Sequence, residues 1–193
     1  PNGLLLTEAD TGISQSNVLA IVFVGIVKIA LSLDTRIDDE TASFIEKWNL
    51  AILAAALLHG ADHIRQAVKW KYKIPLQLWI INLAVYVLPT VSEFLIRNKR
   101  SSSFMTVVSS GIVTSAAFLK VHLWKPTTDI WGVWNNNYFK LAKGVWHEGQ
   151  FIKGIDWIDW ALLLDLPAVS IPACIASLKK RKEVKEKLLA EGK

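Results

Sequence analysis

A single cysteine, Cys174, in 193 residues excludes an internal disulfide, a CxxC redox pair and an all-cysteine metal site. The chain also lacks a GxxxxGK[ST] phosphate loop, a GxSxG nucleophile elbow and a glycine-rich dinucleotide fingerprint. No catalytic residue can therefore be named, and catalysis by this chain alone is not expected. Residues Pro1 to Gln15 carry no Lys or Arg, so the positive n-region of a secretory signal peptide is missing. Pro1 is expected to follow an initiator Met or a processing cut, which leaves the first apolar run as a retained anchor.

What the chain has in excess is apolar surface. Hydrophobic residues make up 52% of it, with nine tryptophans and a mean hydropathy of +0.31. These residues fall into separated runs rather than an even scatter, as in a membrane protein. The net charge of +5 does not argue for nucleic acid, because the basic residues lie beside apolar runs, where they orient helices toward anionic lipid. The reading is an all-α integral membrane bundle, a single domain of about five transmembrane helices plus an interfacial amphipathic segment.

The spans are placed at 17–33, 48–66, 76–96, 104–124 and 157–178. Lys28 in the first is close enough to its end to snorkel. The second, with LAILAAALL followed at once by HGADHIRQ, carries the weakest signal of the five. Ser109, Ser110, Gly111, Ser115, Ala116 and Ala117 in the fourth let neighbouring backbones approach closely, and Pro167 and Pro172 in the fifth predict kinks. Between the last two spans, the aromatic loop 125–156 places Phe139, Ala142, Val145, Trp146 and Ile152 at roughly helical spacing, which predicts an amphipathic stretch along the interface. Trp48, Trp70, Trp79, Trp124, Trp157 and Trp160 at span ends form the expected aromatic belts. The basic tail, 179–193, puts the C-terminus inside and, with five spans, the N-terminus outside.

Helix counting brings the end of the second span, the end of the fourth and the start of the fifth to one membrane face. His59 and His63, at i and i+4, share a helix face with Asp62 beside them; Lys120 and His122 close the fourth span; Asp156, Asp159 and Asp165 open the fifth. Asp165, inside LLLDLPAV, must be protonated, paired or wet, and Lys120, His122 and His59 are its expected partners. Two helical imidazoles with a nearby carboxylate are compatible with copper, zinc or iron, so the candidate metal ligands are His59, Asp62, His63 and His122. The spacing is not HEXXH, which would need Glu where Gly60 stands, and haem or a pigment is an alternative use of the histidines. The plainer reading has these side chains capping or pairing at helix ends, with no cofactor required. Asn82 and Glu93 are the remaining intramembrane polar groups. Toward the opposite face, Lys28, Asp34, Glu93, Arg97, Lys99 and Arg100 are explained by snorkelling and surface ion pairs.

The segment HGADHIRQ, residues 59–66, followed by KWKYK, resembles small multi-span membrane proteins of archaea and actinobacteria that carry a similar Asp-His-x-Arg patch. The chain is also similar in style to accessory subunits of archaeal ammonia monooxygenase. That resemblance implies a copper-dependent oxidoreductase complex in which this chain is a helper, with no motif matching the catalytic subunits. The leading expectation is thus a non-catalytic scaffold subunit whose partners are lipids and other integral-membrane subunits. The alternatives are a histidine-ligated metal, haem or pigment protein, and a small transporter or channel with Asp165, Asn82 and Glu93 along its path.

Overall fold

The computed structural model describes residues 34–71, 73–124, 138–147, 149–152 and 154–191. Contacts divide the chain after Thr35, and every element below belongs to the unit Arg36–Lys193. The expected first span at 17–33, with Lys28, lies outside the described residues, as does 125–137 of the aromatic loop. In order the elements are α1 (Asp39–Lys69), α2 (Leu76–Ala84), α3 (Val87–Arg97), α4 (Ser103–Leu123), α5 (Tyr138–Leu141), β1 (Val145–His147), β2 (Gln150–Ile152) and α6 (Trp157–Ala190). The class is all-α, with one small hairpin. Four helical stretches, namely α1, α2 with α3, α4, and α6, are long and apolar enough to cross a membrane, and they coincide with the four expected spans after the first.

α1 starts where Asp38 accepts the Thr41 amide at 2.7 Å, with Asp39 and Glu40 in its first turn and Lys69 in its last. Both ends thus complement the helix dipole. The expected single span 76–96 is interrupted at Val85–Tyr86 between α2 and α3. Pro89 supplies the reason: it has no N–H to give the Val85 carbonyl, four residues back, and its ring crowds that carbonyl. α6 instead runs unbroken through Pro167 and Pro172 and carries the basic tail onward as helix.

α4 packs against α6 and α3, and α1 against α6 and α3. α4 and α6 come close at Gly111, where a Cβ would lie 3.1 Å from Cys174 Sγ and 3.2 Å from Ser170 Cβ. The small residues of α4 divide accordingly. Ser110, Gly111 and Thr114 are buried at this seam, while Ser109, Ala116 and Ala117 face outward. Two apolar cores result, one around Ile45, Ile52, Phe104 and Val107, the other around Ala56, Phe118, Leu163 and Leu166. The outer surface carries Leu57, Leu58, Ile80, Leu83, Ile112, Ile171 and Ile175, each more than half exposed, a surface suited to acyl chains rather than water. Trp124 and Trp157 are exposed at helix ends, as a belt requires, but Trp70 is buried.

Among the described residues of the aromatic loop, the expected helical spacing is realised over Tyr138–Leu141. Gly144 and Gly149 adopt positive φ, which ends the helix and allows a two-residue turn between His147 and Gln150. β1 and β2 then pair antiparallel with Trp146 opposite Phe151, their rings 5.6 Å apart. Further on, a Cβ at Gly154 would overlap the carbonyl oxygens of Leu141 and Ala142, while Ile155 donates its amide to Leu141 at 3.2 Å. Gly154→Ala is accordingly expected to force this segment off α5 and cost about 1–3 kcal/mol, as overpacking does. Thermal unfolding in detergent checks this, and an unchanged midpoint would show that the contact yields freely.

Candidate metal centre

The end of α1, the end of α4 and the start of α6 meet at one end of the bundle, as helix counting expects. On α1, the positions 59, 62, 63 and 66 form one stripe at helical spacing, and His59, Asp62, His63 and Gln66 are all buried. Leu57, Leu58, Ile64 and Val68 point the other way and are exposed. A helix in lipid turns its polar stripe inward because an exposed polar group there has no water to bind.

Opposite this stripe stands His122 of α4, 2% exposed, beside His59 at 0% and His63 at 7%. One ring nitrogen from each of the three lies within 4.8 Å of the others. His59 Nε2 and His122 Nε2 are 3.0 Å apart, a hydrogen bond. The Nδ1 of His59 stands 3.3 Å from the Leu162 carbonyl oxygen. A carbonyl only accepts, so Nδ1 carries the proton, and the Nε2 lone pair of His59 accepts from His122. Phe118 closes one side, its ring centroid 4.4 Å from that of His59. Tyr138 of α5 covers His122 from the loop side at 4.5 Å. Burial pushes the Tyr138 phenol above its usual range, so this lid is neutral.

Next to the histidines lies a charged network. Arg65 donates from Nε to Asp62 Oδ1 at 2.6 Å, from Nη1 to Asp156 Oδ2 at 3.1 Å and from Nη2 to Asp159 Oδ1 at 2.5 Å. Lys69 adds a bond to Asp156 at 3.0 Å. Gln66 donates from Nε2 to Asp62 Oδ2 at 3.0 Å and to Asp159 Oδ1 at 2.6 Å, with Tyr138 OH at 3.3 Å. Asp156 caps α6 by accepting the amides of Ile158 and Asp159, while Asp159 Oδ2 accepts the Asp156 amide, a reciprocal capping box. Burial works against the Asp156 charge, yet Arg65 and Lys69 hold its carboxyl well below the usual carboxylate range.

Asp62 thus spends both oxygens on Arg65 and Gln66 and does not join the three imidazoles as a ligand. Asp165 meets none of its expected partners. It is half-buried on α6 and makes no ion pair or hydrogen bond among the described residues, so the expectation that Lys120, His122 or His59 would satisfy it is corrected. Lys120 points outward. The buried carboxylate of α6 is Asp159, six residues nearer the helix start. Glu93 lies elsewhere, accepting from Asn49 Nδ2 at 3.2 Å and Arg97 Nε at 2.8 Å. Asn82 lines, with Trp79 and Tyr86, an apolar groove of about 420 Å³ between α1 and α2 that neither Glu93 nor Asp165 reaches. Sequence reasoning passed over Arg65, Gln66 and Tyr138. The buried stripe extended by one more turn, from 59 through 62 and 63 to 66, would have found Gln66. No family model matches this sequence, and no curated protein or solved structure compared with it is significantly similar.

Proposed function

We propose that this chain is an integral-membrane protein that holds one transition-metal ion on His59, His63 and His122 and serves as a subunit of a larger membrane assembly. The observation that carries the metal reading is the convergence of three buried imidazoles, with ring nitrogens within 4.8 Å of one another. One of them, His59, is turned by a backbone carbonyl on its other nitrogen, as metal-binding histidines are. Tetrahedral coordination at about 2.0–2.1 Å sets nitrogens roughly 3.3 Å apart, so the 3.0 Å between His59 and His122 needs a few tenths of an ångström of opening and the wider separations, up to 4.8 Å, a closing of as much as about 1.5 Å. Neutral imidazoles suit copper, zinc, iron or nickel. A haem or pigment fits less well, because rings with centroids 4.7–5.1 Å apart leave no slot for a macrocycle. Titration of purified protein in detergent with Co(II) is expected to give one equivalent bound, with visible absorption typical of nitrogen ligation. Failure to bind Co(II), Zn(II) or copper above background would remove this reading.

The subunit reading is supported by Asp165. A carboxylate two turns inside a spanning helix costs on the order of 2.5–3.5 kcal/mol by insertion scales, and the described residues offer it no ion pair. A polar group on a neighbouring protein is the remaining remedy besides protonation or local water. In this reading the chain supports an oxidising or energy-converting complex rather than catalysing alone. Asp165→Ala is expected to lower the yield of assembled complex, and Asp165→Asn, which keeps a hydrogen bond, to lower it less. Equal yields of both with wild type would leave Asp165 without an assembly role. With the basic tail inside, the histidine end of α6, at the opposite end of that helix, faces outside.

A further inference from the structure

We propose that Gln66 is a positioning residue that fixes the ring of His63 for metal binding. The inference rests on the metal reading above and extends it to a side chain that is no ligand. Gln66 is fully buried at the end of the polar stripe of α1. Both amide hydrogens are committed, because Nε2 faces Asp159 Oδ1 at 2.6 Å and Asp62 Oδ2 at 3.0 Å. Two carboxylate oxygens dictate the amide orientation: the opposite orientation would set Oε1 against them. The Gln66 oxygen is therefore turned away from the acids. It is buried and makes no hydrogen bond among the described residues, and Gln66 stands one turn after His63 on the same buried stripe of the helix. A buried carbonyl oxygen without a donor is costly. A small turn of the His63 ring would bring one of its N–H groups onto this oxygen.

Once Oε1 holds one ring N–H of His63, the other nitrogen is left with its lone pair for a metal ion. His59 is treated the same way by the Leu162 carbonyl. The two α1 histidines are thus oriented by different devices, one a main-chain carbonyl of α6, the other an amide anchored to an α6 carboxylate. The Asp159–Gln66–His63 chain also brings negative charge close to the bound cation without adding an anionic ligand.

The test uses Co(II) as probe with the full chain in detergent. Gln66→Met keeps length and apolar volume but has no acceptor for His63, and is expected to weaken Co(II) binding about 10–100-fold, as loss of an outer-shell partner does, and to alter the visible spectrum. The double variant Gln66→Glu with Asp159→Asn restores an acceptor toward His63 and a donor behind it, at the cost of an oxygen facing Asp62 Oδ2, and is expected to recover part of the affinity and the wild-type spectrum. A purely structural role would lower thermal stability in both without this recovery. If Gln66→Met does not fold, Gln66→Asn, one methylene too short to span Asp159 and His63, takes its place with the same expected loss. Wild-type affinity and spectrum in the single variant would overturn the role of Gln66 and leave the metal site standing. Absence of Co(II) binding by the wild type would overturn both.

Discussion

Replacing any one of His59, His63 and His122 with alanine is expected to abolish stoichiometric Co(II) binding at micromolar protein. Two buried imidazoles cannot offset the dehydration of a divalent ion, whose transfer into a low-dielectric interior costs many kcal/mol. The loss should exceed the 10–100-fold expected from outer-shell changes. The three substitutions should also resemble one another, because a ligand set that acts as a unit is not additive. The structure adds a control. All three rings are tightly packed, His59 against Phe118 at 4.4 Å and His122 against Tyr138 at 4.5 Å, so alanine will cost stability as well as ligation. Glutamine at 122 keeps bulk and a polar tip while removing the imidazole, which separates the two effects. Full Co(II) affinity in His122→Gln or in any of the alanine variants would dismiss the three-histidine site.

The membrane class and most of the site's raw material were legible from sequence because both depend on local pattern. Runs near 20 apolar residues locate the helices of a membrane protein with little help from tertiary context. The spacing of His59 to His63 fixes a shared face from helix geometry alone, and helix counting correctly brought His122 and the start of α6 to the same end. What failed were pairings that depend on rotation about a helix axis. Asp165 and Asp159 lie six residues apart on α6, hence on different faces. An apolar context singled out Asp165, although Asp159 is the one turned inward to Arg65 and Gln66. The break at Val85–Tyr86 was present in Pro89 but was masked by the continuous hydropathy of the segment. Beyond Leu141 the apolar spacing of the loop serves a hairpin instead of a helix, and the positive φ of Gly144 and Gly149 marks the difference.

Arg65→Met is expected to be the most destabilising single change in the described bundle, on the order of 3–5 kcal/mol, the cost of stranding a buried charge. The side chain of Arg65 is 35% exposed, but Asp62 and Asp159, its partners, are both 0% exposed. Its removal therefore leaves two carboxylates facing each other across the Gln66 amide, with Lys69 bound to Asp156 instead. Arg65→Lys should restore little, since an ammonium cannot reach Asp62, Asp156 and Asp159 together as the guanidinium fork does. The effect must depend on the acids if this account holds. Asp159→Asn added to Arg65→Met removes one of the stranded charges and is expected to regain a substantial share of the lost stability, a coupling that a double-mutant cycle measures directly. The readout is the unfolding midpoint of each variant in the same detergent. If the double variant falls within about 0.5 kcal/mol of the sum of the two single changes, Arg65 and Asp159 are not coupled, and the end of the bundle is held by the apolar core around Phe118 and Leu163.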